Sequence, residues 1–116
     1  MLINEIARVC HTVNQSYCEA LGDFSQVEWE KAPKWQKESA IAGVLAHMEV
    51  KDRSPEESHN AWVFEKLKTG WTYGALKNEE FKTHPCLVPF SELSREQKAK
   101  DFIFTAIIRA LDTSNN

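Results

Sequence analysis

Eight side chains able to stack on or neutralise a ligand crowd into residues 59–84: His59, Trp62, Lys66, Trp71, Tyr73, Lys77, Lys82 and His84. Indole and phenol rings offer flat faces to a heterocycle, and neighbouring lysine or histidine offsets an attached phosphate without a glycine loop. The same residues support a plainer reading, in which Trp62, Trp71 and Tyr73 fill a small core while the lysines solvate its surface. Spacing alone leaves both open. Charge favours this half of the chain for an anion: residues 1–58 carry six basic and ten acidic groups, residues 59–116 eight basic and seven acidic.

Other chemistries find less support. No Gly-x-Ser-x-Gly turn is present, and Cys86, after His84-Pro85, lacks any sequence signal for a lowered thiol pKa. The reading is non-enzymatic, with Glu65 and His84 as the only acid–base candidates of note. The four histidines and three cysteines show neither Cys-x-x-Cys nor His-x-x-x-His spacing, so no metal or other cofactor is expected. Gly70 and Gly74 bracket two aromatics and read as turns rather than as a phosphate cradle.

These residues need elements to position them. At 116 residues, 42% hydrophobic and 27% charged, the chain is expected to form one domain, 1–116. A net charge of −3 argues against general nucleic-acid binding. The longest apolar runs fall well short of the roughly 20 residues that cross a bilayer. The start of the chain has no secretory pattern, and three unpaired-looking cysteines, Cys10, Cys18 and Cys86, read as free thiols of a cytoplasmic protein.

Apolar residues Ile6, Val9, Val13, Tyr17 and Leu21 predict a first helix over Asn4 to Leu21, ended by Gly22. An ordered connector should lay Phe24 and Trp29 on the core. Pro33 suits the first turn of a second helix carrying Ile41, Val44, Leu45 and Met48. Ser54-Pro55-Glu56-Glu57 is a capping-box pattern opening a third helix, which stops at Gly70 and sets His59, Trp62 and Lys66 on one surface. Trp71–Tyr73 and Cys86–Val88 are β-favouring pieces that fit a small hairpin. Ser94 and Gln97 cap a last helix with an apolar stripe of Phe102, Ile103, Ala106, Ile107, Ala110 and Leu111, followed by a frayed tail from Asp112. The fold class is mainly α, about four helices with a short β hairpin.

The blocks His59-Asn60-Ala61-Trp62, Gly70-Trp71-Thr72-Tyr73-Gly74 and His84-Pro85-Cys86-Leu87-Val88, in that order, closely resemble the repeat domain of ryanodine receptors. The resemblance covers residues 54–111, with 1–53 as a helical extension similar to the leading helices of stand-alone bacterial and phage forms. In the calcium-release channels such repeats are cytoplasmic modules, usually in tandem, outside the pore. The resemblance therefore implies a binding or sensing module for a small ligand, such as a nucleotide, whose pocket is lined here by His59, Trp62 and Lys77, with Lys82 offsetting phosphate. Trp71 and Tyr73 would hold the hairpin to the helix. Where receptor repeats carry Pro-Val-Arg, this chain has Ala75-Leu76-Lys77, a point charge in place of a fork. Because tandem repeats build their cleft from two copies, the resemblance also implies a homodimer. The competing reading is a protein–protein interaction module without a small ligand.

Overall fold

A computed structural model describes residues 1–50 and 52–112. Among them run four α-helices: α1 (Ile3–Ala20), α2 (Lys34–Glu49), α3 (Pro55–Lys68) and α4 (Arg95–Leu111). Two strands of two residues each, β1 (Thr72–Tyr73) and β2 (Thr83–His84), lie between α3 and α4. The fold is mainly α with minor β, as the composition and periodicity indicate. The expected tail falls largely on residues 113–116, outside the described residues.

The chain gathers into two compact units, Met1–Arg53 with the segment from Ile103 onward, and Ser54–Phe102. In the first, Ile6, Ala7, Cys10, Val44 and Ile108 form a buried cluster, with Ile3, Trp29, Ile41, Met48, Phe104, Ile107 and Leu111 packed against it. Burial pushes the Cys10 thiol up to about 12, so it behaves as an apolar core group. Trp29 meets His11 edge-on at 5.6 Å, while His11 Nε2–H donates to the Val27 carbonyl at 2.6 Å. The connector thus delivers Trp29 to the core but leaves Phe24 74% exposed, in a stretch where the Ser25 N–H donates to the Asp23 carboxylate at 2.9 Å. Pro33 sits one residue earlier than expected, at the N-cap of α2, where its carbonyl accepts from Gln36 and Lys37.

The α4 face also differs from the expected stripe. Thr105 and Ile108 are its buried residues, whereas Phe102 is 58% exposed and Ala106 and Ala110 face solvent. Thr105 can be buried because its hydroxyl lies 3.4 Å from His47 Nε2, which satisfies a polar group that would otherwise oppose burial.

The second unit is built on α3. Ser54 accepts from the Glu57 N–H at 3.1 Å and the Glu57 carboxylate accepts from the Ser54 N–H at 3.0 Å, completing the capping box. At the other end Gly70 adopts φ +94°, where a side chain would be strained. Its N–H donates to Leu67 and that of Trp71 to Lys66, the paired bonds of a Schellman turn. That turn sends Trp71 back under the helix.

The strand pair is parallel, Thr72 opposite Thr83 and Tyr73 opposite His84, rather than a hairpin of adjacent antiparallel strands. The intervening chain reverses twice: Asn78 and Thr83 exchange antiparallel bonds at 2.9 Å each, so the second strand re-enters in the direction of the first. Cys86–Val88 is not a strand. Pro85 has no N–H to donate, and the Cys86 N–H bonds the His84 side chain, so the chain turns there.

Candidate functional site

On α3, His59 and Trp62 are neighbours across one helical turn, with ring centroids 5.7 Å apart. His59 is 3% exposed, and its Nε2–H donates to the Val88 carbonyl at 2.7 Å. Its Nδ1 lies 3.7 Å from Asp101 Oδ2 on α4, and its ring rests 6.0 Å from that of Phe90. His59 therefore holds α3 against the segment before α4. Its ring also lies beside that of Trp62, the neighbour with which the sequence expects it to line a pocket.

Trp62 itself is half-buried. The rings of His84 and Trp62 meet in a T, centroids 5.0 Å apart and planes at 77°. This is the geometry in which a ring's positive edge points at another's electron-rich face. Strand β2 carries His84 to this position, and the turn after it fixes the ring, because the Cys86 N–H donates to His84 Nδ1 at 3.0 Å. Since Nδ1 accepts, the hydrogen of the neutral imidazole is on Nε2.

Lysines of the same unit act on the pair. Lys66, one turn beyond Trp62, is 8% exposed and holds its ammonium 5.1 Å from the Trp71 ring. Burial first, and then the charge of Lys77, depress its pKa. His84 is lowered to about 4, chiefly by burial and then by Lys77, Lys100, Lys66 and His59. Lys77 and Lys100 also act on Cys86, whose thiol burial pushes up and whose Sγ–H is directed to Gln97 Oε1 at 3.3 Å. Burial raises the Asp101 carboxyl to about 7 against the pull of Lys100. An indole is thus set among positive charges whose fields converge on one neutral imidazole.

The remaining expected site residues are placed as follows. Trp71 is 6% exposed and lies under Lys66, a packing position that fits the expected role of anchoring the strands. Tyr73 is 60% exposed, so it does not clamp the strand to the helix. Lys82 adopts φ +54° and donates from Nζ to the Thr69 carbonyl at 3.1 Å, closing the C-terminal end of α3. Lys77 is exposed and contributes through its field.

Four contributors escaped the sequence reading: Gln97, Lys98, Lys100 and Asp101, all on the first half of α4. Lys98 places its ammonium 5.6 Å from the Phe90 ring. The usable signal was the spacing of Gln97, Lys98 and Asp101, polar residues three and four apart on one helical face. Among the described residues no three His, Cys, Asp or Glu side chains converge as a metal site would need, and no helix is long and apolar enough to cross a membrane.

The family model of the RyR domain matches residues 39–113, which takes in α3, both strands and α4 with every residue of the Trp62 cluster. The match also begins inside α2, earlier than the 54–111 of the motif blocks. The chain belongs to the RyR domain family.

Proposed function

We propose that this RyR domain is a non-catalytic module that binds a small anionic heterocycle, a nucleotide, on the face of Trp62. One observation carries the reading: the half-buried indole of Trp62 is braced by His59 and His84 within the fields of Lys66, Lys77 and Lys100. An aromatic base would stack on the indole while its phosphate lies toward the lysines. The tuning of the cluster supports a binding rather than a catalytic role. His84 stays neutral near pH 7 and Cys86 stays a thiol, so neither is prepared as an acid or a nucleophile. The setting we propose is a reducing cytoplasm, in which Cys10, Cys18 and Cys86 persist as free thiols. A second copy of the chain would supply the opposite face of the stack.

Isothermal titration with adenine and guanine nucleotides, linear and cyclic, tests the reading. Saturable binding of at least one, together with weaker binding of the matching nucleoside, is the expected result. Sedimentation with and without that nucleotide checks the pairing of copies.

A second reading is favoured by exposed apolar side chains of the same unit. Phe64 and Leu67, 64% and 55% exposed, lie one turn apart on α3, where a protein partner could cover them. Silence across the nucleotide panel would transfer the proposal to that surface.

A further inference from the structure

His84 makes one hydrogen bond through its ring, as acceptor of the Cys86 N–H at Nδ1. The other nitrogen must then carry the hydrogen of the neutral ring. No acceptor among the described residues takes that Nε2–H, and the atom is not sealed away from solvent. The ring packs against the indole of Trp62 in a T, centroids 5.0 Å apart, and the ammonium charges of Lys77, Lys100 and Lys66 act on it. A donor fixed in direction by its own backbone turn, and lying within the fields of three lysines, is matched to an anionic oxygen.

We infer that His84 is the specificity-determining residue of the Trp62 site, and that its Nε2–H donates to a phosphate oxygen of the bound nucleotide. This rests on the nucleotide reading above and adds to it the residue that distinguishes a phosphate ester from a neutral heterocycle. The lysines supply charge without direction, because an ammonium on a flexible stem accepts an oxygen from many approaches. His84 supplies direction without charge. Burial and the surrounding cations keep the ring neutral down to about pH 4, so the donor is an N–H of constant charge at physiological pH. Strand β2 and the turn at Pro85 hold it in place, which gives His84-Pro85-Cys86 a function beyond terminating the strand.

Two conservative substitutions separate the ring nitrogens. In His84→Asn the amide oxygen takes the place of Nδ1 and keeps accepting from Cys86, while the Nε2 donor is gone. In His84→Gln the amide nitrogen reaches the place of Nε2, and the Nδ1 acceptor is lost. Titration of the whole chain with ADP and with adenosine, accompanied by thermal unfolding, reads both. H84N is expected to bind ADP about tenfold or more weakly, the loss of one hydrogen bond to a charged group. Its affinity for adenosine should fall clearly less than its affinity for ADP, and the unfolding midpoint reports the cost of losing the ring against Trp62. H84Q should retain more of the ADP affinity than H84N despite a lower unfolding midpoint. Wild-type ADP affinity in H84N overturns the inference about His84, as does an equal loss of adenosine and ADP, which would mark a packing role. Failure of the wild-type chain itself to bind ADP would overturn the nucleotide reading and the inference with it.

Discussion

The rings of His84 and Trp62 meet in a T, centroids 5.0 Å apart, although one residue sits on a two-residue strand and the other in the middle of α3. The contact is possible because each ring is fixed from behind. The Cys86 N–H holds His84 through Nδ1, and the buried His59, tied to the Val88 carbonyl, supports Trp62. A preorganised indole loses little conformational freedom when a flat ligand stacks on it.

Lys77 is exposed, yet it lowers the pKa of both Lys66 and His84. Lys77→Ala should therefore raise the His84 pKa above its value of about 4, visible in the pH titration of its imidazole Cε1–H by NMR. Stability should change by no more than about 0.5 kcal/mol, as for an ordinary surface substitution. Nucleotide affinity should fall several-fold and become less sensitive to salt. An unmoved His84 titration would remove Lys77 from the site.

The strand pair depends on a close approach. A Cβ on Gly74 would stand 2.5 Å from Thr83 Cβ, and Thr83 Oγ1–H also donates to the Leu76 carbonyl at 2.9 Å. Gly74→Ala should destabilise the chain by about 1–3 kcal/mol, an overpacking cost. In a double-mutant cycle measured by urea unfolding, Gly74→Ala should cost far less in a Thr83→Gly background. Equal costs in both backgrounds would show that the contact does not limit the site.

Two buried groups give the stability opposite pH dependences. Asp101 titrates at about 7 in the fold against 3.8 ordinarily, so between those values the folded chain keeps a proton that the unfolded chain releases. Its contribution is fully present below about pH 4 and is lost as pH rises to 7. His84 titrates at about 4 against 6.5, so the unfolded chain takes up a proton that the folded chain refuses. Its contribution is present above 6.5 and is lost as pH falls to 4. In wild type the two slopes oppose each other across this window. Asp101→Asn should expose the His84 slope, so the urea midpoint of the variant falls on acidification from pH 6.5 to 4 more steeply than that of wild type. Parallel curves would contradict the assignment.

The parts of the site that depend on neighbours in sequence were legible, and those that depend on distant segments were not. Ser54 and Glu57 announce the start of α3, and Gly70 its end, because capping and the left-handed turn are local chemistry. The adjacency of His59, Trp62 and Lys66 follows from helical spacing alone. That the His59 nitrogens face Val88 and Asp101 depends on residues 29 and 42 positions away in the chain, and no local pattern encodes that. The parallel direction of strands β1 and β2 was hidden for a similar reason. Each is two residues long, and its direction is decided by the Asn78–Thr83 reversal rather than by strand propensity. Phe102 misled because its apolar character matches the stripe, while its position places it off the face that buries Thr105 and Ile108.

The central claim is that Trp62 is a ligand platform rather than a core residue. Isothermal titration of ADP into the wild-type chain and into Trp62→Ala, each checked by circular dichroism, tests it most directly. The account predicts saturable wild-type binding that disappears in the variant while the helical spectrum is retained. A variant that binds ADP as wild type does, or that unfolds with the loss of about 3–5 kcal/mol expected for a truncated core tryptophan, would contradict it.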